Sequence, residues 1–286
     1  SVNVLAAGSG AFRVESPDAA VIGMGNAFVG QADRPSAVYY NPAGLNQIKK
    51  VQISTGIAAL APQGKYKDNS GQETQMRQNV FYVPHFYAVV PLNQKLVIGF
   101  GSGSFWGLGT EWAPDSFSRY VATKNDLINT DTMVTVSYQL TDQLSLAASV
   151  DNDYSKADEN KNLFQGGGAG TDGHLSLKAK DDAWGYRLAT MFKINDHHQV
   201  GLMYRSAIHH NYIGKIYLDN LNNVNVLGGG ALSYQTAFGG TSYETRATQK
   251  LTLPQSIVMG YSFKPNQKWT FNFDLEWMNW SSTKES

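Results

Sequence analysis

Trp269-Thr270-Phe271-Asn272-Phe273-Asp274-Leu275-Glu276-Trp277 decides the fold. Its odd positions are apolar and its even ones polar, the two-residue period of a strand with one greasy and one wet face. The same split runs through 184–193, where Trp184, Tyr186, Leu188, Thr190 and Phe192 alternate with Gly185, Arg187, Ala189, Met191 and Lys193. In 144–154, Leu144, Leu146, Ala148, Val150 and Tyr154 stand against Ser145, Ala147, Ser149, Asp151 and Asp153. In 200–209, Val200, Leu202, Tyr204, Ser206 and Ile208 are set against Gly201, Met203, Arg205, Ala207 and His209. A soluble antiparallel sheet with one solvated face would alternate identically, so the connections must arbitrate.

Four of those connections are short polar turns between strands, at Pro91-Leu92-Asn93-Gln94-Lys95, Leu140-Thr141-Asp142-Gln143, Ile194-Asn195-Asp196-His197 and Pro265-Asn266-Gln267-Lys268. Between them lie long segments rich in Gly, Asn, Asp and Lys, at roughly 62–78, 107–126, 158–180 and 214–247. Short turns alternating with long loops mark an outer-membrane barrel, whose two rims differ in this way. Aromatic residues near strand ends (Trp106, Trp112, Tyr138, Tyr154, Trp184, Tyr261, Trp269, Trp280) read as interfacial girdles.

The pattern predicts nine strands, at about 50–61, 79–91, 95–106, 127–140, 143–156, 182–194, 198–213, 247–263 and 268–283. Nine is odd, whereas bacterial single-chain barrels carry even counts. An unclosed sheet in lipid leaves a row of unpaired backbone groups, each costing several kcal/mol. The expectation is therefore a partial barrel over 50–286 in a chain lacking a C-terminal part.

Composition agrees with lipid as part of the solvent. Of 286 residues only 16% are charged, below the usual quarter, while 42% are apolar. An aromatic content of 12% excludes a disordered chain, and 23 basic against 23 acidic residues give no support for a nucleic-acid partner. With no Cys, thiolate metal sites and disulfide scaffolds are excluded. No run approaches the roughly 20 apolar residues of a membrane-spanning helix, which leaves strands as the spanning element.

The first fifty residues do not alternate. Residues 1–7, Ser1-Val2-Asn3-Val4-Leu5-Ala6-Ala7, end in small residues at the spacing a signal peptidase accepts, and read either as the tail of an export signal or as an ordinary mature terminus. In 8–49, Ser16-Pro17-Asp18 reads as a helix cap followed by Pro, and Asn41-Pro42-Ala43-Gly44 repeats that signal before the first strand. A compact, small-residue-rich segment ahead of a barrel reads as a plug, or hatch.

Ala11-Phe12-Arg13-Val14-Glu15, the run Gly23-Met24-Gly25-Asn26-Ala27-Phe28-Val29-Gly30, Tyr39-Tyr40-Asn41-Pro42-Ala43-Gly44-Leu45, Phe105-Trp106-Gly107-Leu108-Gly109-Thr110-Glu111-Trp112 and Tyr204-Arg205-Ser206 carry a likeness that covers the whole chain. They resemble the FadL-type transporters of Gram-negative outer membranes. That resemblance implies an all-β, fourteen-stranded transmembrane barrel closed by a helical hatch, acting as a monomer without cofactor or metal. The implied cargo is a long-chain fatty acid or another hydrophobic small molecule such as an aromatic hydrocarbon. Extracellular loops would capture it and an internal pocket hold it, before lateral release into outer-membrane lipid at a kink in the third strand.

Carried over, Phe12 lies on the N-terminal segment that occludes the pocket, and Asn41, Pro42 and Ala43 form the hatch tip. Gly99, Gly101, Gly103, Gly107 and Gly109 crowd the third strand and its exit. They mark either a wall defect at the kink or room made for the hatch. A sixteen-carbon tail gains on the order of 10 kcal/mol on burial at ~0.8 kcal/mol per CH₂, so capture needs no energy source. Its carboxylate needs a cation, for which Lys156, Arg187 and Arg205 are candidates, with Lys156 nearest the outer end of its strand. Against each stands a lumen ion pair with Asp151, Asp153 or Asp274.

Two other classes compete. An outer-membrane phospholipase or protease would use Ser, Asp and His, but His209 and His210, as strand neighbours, point to opposite faces, and His197-His198 falls in a turn. No G-x-S-x-G, H-E-x-x-H or Walker motif occurs. A general porin would have an open lumen, which the hatch opposes.

Overall fold

The computed structural model describes residues 12–14, 18–67, 71, 73–167 and 171–283. The readings placed on residues 1–7, on Ser16-Pro17 and on 284–286 lie outside these. Two single-turn helices, α1 (Ala19–Ile22) and α2 (Ala37–Tyr40), and a 3-10 turn over Pro42–Gln47 precede the strands. These are β1 Gln52–Leu60, β2 Lys65–Lys67, β3 Glu73–Gln75, β4 Phe81–Pro91, β5 Leu96–Gly103, β6 Gly107–Glu111, β7 Lys124–Gln139 and β8 Leu144–Leu163. There follow β9 Gly173–Lys193, β10 His198–Arg205, β11 Ile208–Asp219, β12 Asn225–Leu227, β13 Leu232–Ser233, β14 Tyr243–Leu253, β15 Ser256–Asn266 and β16 Trp269–Met278.

Twelve of these make one antiparallel sheet in the order β1-β4-β5-β7-β8-β9-β10-β15-β16, with β6 on β7, and β11 on β9 and β14. β5 with β6, β10 with β11, and β14 with β15 are each one interrupted stave. Nine staves therefore stand side by side among the described residues, as the alternation predicts. β2 with β3 and β12 with β13 form separate small hairpins.

Burial alternates as the sequence does. On β8 the side chains of Ser145, Ala147, Ser149, Asp151, Asp153 and Ser155 are buried, while Leu146 and Val150 are exposed on the opposite face. The exposed face is the apolar one, which is the arrangement of a barrel in lipid.

The structure corrects four details and decides a fifth. The alternation read through 200–209 reverses at Ser206-Ala207, so Ile208 and His210 are buried and His209 is exposed. The segments read as loops 158–180 and 214–247 contain much strand, since β8 runs to Leu163, β9 starts at Gly173, β11 runs to Asp219 and β14 starts at Tyr243. They lack alternation in the sequence because a strand rising above the membrane meets water and not lipid on its outward face, so polar residues stand on both faces. Trp106 is not a girdle residue, being only 1% exposed. Asp18 caps α1, accepting from the Ala20 N–H at 2.9 Å. Finally, Gly99 and Gly101 make room for the hatch: an added Cβ would lie 2.7 and 2.9 Å from the two Val38 methyls.

The core lies inside the barrel toward the rim of short turns. Val21, Phe28, Val38 and Leu45 from the hatch pack with Tyr87, Val97, Met133 and Met203 from the wall. Each such side chain contributes about 1.5–3 kcal/mol on burial. Polar bonds set the register of hatch on wall. Asp274 accepts from the Phe28 and Val29 N–H groups at 2.8 Å each, and Gln199 donates to the Gly30 carbonyl at 2.7 Å.

Candidate functional site

Asn41, Pro42 and Ala43 are buried at the join of α2 and the 3-10 turn. The Asn41 amide donates to the carbonyls of Val29 at 2.9 Å and Thr190 at 3.2 Å, and its oxygen accepts from the Ala43 N–H at 3.1 Å. Asn is suited to this position because one side chain caps the turn and ties two separate backbones. The motif thus anchors the hatch to itself and to β9.

The third stave breaks between Gly103 and Gly107. Gly103 pairs with His85 on β4 and Asp131 on β7, whereas β6 pairs with β7 alone. Phe81–Pro84 of β4 pair only with β1, so no ladder joins them to β6. At this break the N-terminal segment supplies its own bonds. The Val14 N–H donates to the Phe105 carbonyl at 3.0 Å and the Gly107 N–H to the Phe12 carbonyl at 2.7 Å, around an Arg13–Trp106 bridge.

Side chains reinforce the joint. The Phe12 ring lies 5.5 Å from Trp106 and 5.6 Å, edge-on, from Trp280. Phe105 stacks on Tyr39 at 3.7 Å, so α2 is coupled to the same break. Arg13 pairs with Glu276 of β16 at 2.5 Å. An added Cβ on Gly103 would meet the Phe105 ring at 2.9 Å, and one on Gly107 the Val14 side chain at 3.5 Å.

Inside the wall, strand parity brings charges together. The Arg187 guanidinium, wholly buried, meets Asp131 at 2.8 Å and Asp151 at 3.1 Å, and lies over the Tyr39 ring. Arg205 stands directly across from Arg187 on β10. It reaches Asp131 at 3.5 Å, lies over the Trp106 ring at 5.1 Å, and its buried Nε has no hydrogen bond among the described residues. His210 sits between Asp153 at 3.1 Å and Asp181 at 3.2 Å. A cavity of about 240 Å³ opens between hatch and wall, bounded by Tyr39, Tyr40, Arg187, Met203, Arg205 and Val258 among others.

Phe12, Gly103, Gly107 and Arg205 therefore converge on one region, and Asn41, Pro42 and Ala43 support it from the hatch. Lys156 does not join them. It is exposed on the outward face of β8, its ammonium over the Tyr154 ring at 5.3 Å, because its parity is opposite to that of Asp151 and Asp153. Tyr39, Phe105, Asp131 and Trp280 also belong to the region, although the sequence offers the first two only for the family likeness and Trp280 only as a girdle residue. For Asp131 the signal was present, since it lies on the lumen parity of β7, two residues from Met133.

The family model described as outer membrane protein transport protein (OMPP1/FadL/TodX) matches residues 3–285. The long-chain fatty acid transport protein of Escherichia coli O6:H1 is 24% identical over 293 residues, covering 92% of this chain and 65% of that protein. Among solved structures, a Pseudomonas aeruginosa FadL homologue has a TM-score of 0.78 at 18% identity, covering 96% of this chain and 70% of that one. The toluene transporter TodX of Pseudomonas putida has a TM-score of 0.66 at 19% identity, with coverage of 87% and 67%. The two structural likenesses bear on the fold. The chain spans between 55% and 65% of the length of the first curated relatives it matches.

Proposed function

Because this chain belongs to the FadL/TodX family of outer membrane transport proteins, we propose that it carries lipophilic molecules passively through the outer membrane, with its N-terminal segment as the gate. The observation that carries this reading is the joint between Phe12–Val14 and the broken third stave. Arg13 of that joint lines the cavity, and the joint covers a stretch of wall where no ladder joins β4 to β6. Withdrawal of Phe12 from between Trp106 and Trp280 would open both at once, giving cargo a sideways route into lipid.

The chain contains no Cys, so one engineered pair tests the gate without side reactions. In Val14→Cys/Gly107→Cys, oxidation is expected to pin the segment to β6 and lower uptake of a fluorescent fatty acid by cells at least tenfold, with reductant restoring it. Equal uptake by the oxidised and reduced forms sinks the gate.

A long-chain fatty acid is the favoured cargo over an aromatic hydrocarbon, on the strength of Arg205. Of the cavity cations it holds its carboxylate partner most loosely, at 3.5 Å, against 2.8 Å for Arg187 and 2.5 Å for Arg13. A charge-assisted bond to the cargo's carboxylate is the use such a group has. Arg205→Gln is expected to cut oleate uptake by about tenfold, the worth of one such bond, and to leave toluene uptake within twofold. Parallel loss of both cargoes would remove the carboxylate from the account.

A further inference from the structure

Above the apolar band, the outward face of four neighbouring staves carries Lys156 on β8, Lys178 and Lys180 on β9, Lys215 on β11, and Arg246 and Lys250 on β14, all exposed. Their parity is that of Tyr154 and Trp184, opposite to the buried Ala157, Ala179 and Tyr212. The register sets like charges directly against one another: Lys156 across from Lys180, Lys178 from Lys215, and Lys215 from Arg246. Like charges directly opposite destabilise a sheet, so three such pairs in one patch call for a counter-charge.

The protein does not supply enough of it. On the same face Asp158, across from Lys178, is already paired with Lys124 at 2.8 Å, Glu244 is paired with Lys215, Asp219 with His174 at 2.8 Å, and Asp182 is the remaining carboxylate. Lys156, Lys178, Lys180, Arg246 and Lys250 have no ion pair among the described residues.

Height identifies what could provide the rest. On β9 the exposed apolar face runs from Phe192 to Trp184, about 26 Å along a strand rising ~3.3 Å per residue, or about 20 Å of height at a tilt near 40°, close to the apolar band of an outer-membrane barrel. Trp184, 67% exposed, and Tyr154 then mark the interface. Lys180 lies four residues farther out, roughly 10 Å above Trp184 by the same rise and tilt. That is where lipid headgroups stand. The outer leaflet of such a membrane is built of phosphorylated glycolipid, whose headgroup is anionic.

We propose that this patch binds the phosphates of an outer-leaflet glycolipid of the lipid A class, with Lys178, Lys180 and Lys215 at its centre. The site depends on the outer-membrane location and is independent of the cargo.

The test is binding of the chain in phosphatidylcholine nanodiscs to bis-phosphorylated lipid A, to dephosphorylated lipid A and, as competitor, to inorganic phosphate. The variants are Lys178→Gln/Lys180→Gln/Lys215→Gln and, as a control at the opposite rim, Lys50→Gln/Lys95→Gln/Lys268→Gln, all at exposed positions. The expected result is at least tenfold tighter binding of the bis-phosphorylated lipid, lost in the first variant and kept in the second. No preference for the phosphorylated lipid, or the same preference in the first variant, overturns the proposal. Displacement by about 10 mM phosphate as effective as that by lipid A also overturns it, since the patch would then hold an ion and not a lipid.

Discussion

Arg187→Ala is expected to destabilise the barrel by about 3–5 kcal/mol, the cost of leaving buried carboxylates without their counter-ion. Asp131 and Asp151 have no exposure, and the guanidinium reaches both, at 2.8 and 3.1 Å. A drop in melting temperature of roughly 10 °C follows from typical unfolding entropies, readable as loss of the compact band on unheated gels or by circular dichroism. The neutralised variant Arg187→Met/Asp131→Asn/Asp151→Asn removes the stranded charges along with the cation and is expected to recover most of the loss. If the single variant melted within about 2 °C of the parent, the cluster would not be holding the wall. If the triple variant melted as low as the single one, packing of the guanidinium stem would be the cause, and not charge.

Gly201→Leu with Gly260→Leu is expected to expel the hatch. A Cβ at Gly201 would stand 2.2 Å from the Val29 carbonyl and 2.4 Å from the Asn41 amide, and one at Gly260 would stand 2.2 Å from the Gly30 nitrogen. The obstacles at Gly201 and Gly260 include backbone, which cannot swing aside as a long side chain can. Both glycines lie on staves whose outward faces are unchanged by the substitution, so the wall retains its lipid contacts. In planar bilayers the parent should conduct little, while the double variant should conduct steadily. A folded double variant that stays closed would show that residues 18–48 are not what fills the lumen.

The wall was legible in the sequence because membrane and lumen impose opposite demands on alternate residues. Alternation alone places Leu146, Val150 and Trp184 outside, and Asp151 and Arg187 inside. The family likeness rested on the segments around Tyr39-Tyr40-Asn41-Pro42-Ala43, and Asn41 indeed knots the hatch to β9. What alternation could not reach falls into two kinds. Above the membrane, from Asp158 to Leu163 and from Gly173 to Lys180, the outward face turns polar as well, which erases the period, so strands read as loops. At Ser206-Ala207 the parity reverses while the residues remain as apolar or polar as before, and Ile208 was assigned to the lipid face although it is 1% exposed. Lys156 lies nearest its strand's outer end, but its parity sets it on the face of Tyr154, opposite Asp151 and Asp153.

The reversal at Ser206-Ala207 has a twin. Across the hairpin, β15 buries Ser256 and Val258, and β14 buries Leu253, so parity also reverses at Pro254-Gln255. The ladder nonetheless stays in step, Arg205 opposite Ser256 below the interruption and Ile208 opposite Leu253 above it. Removing one residue from either strand alone would slide the upper half of the hairpin against its partner. Removing one from each would restore an unbroken ladder with the same side chains facing the lumen. The interruption therefore amounts to one extra residue in each strand, and only a change made in both strands together leaves the ladder in step.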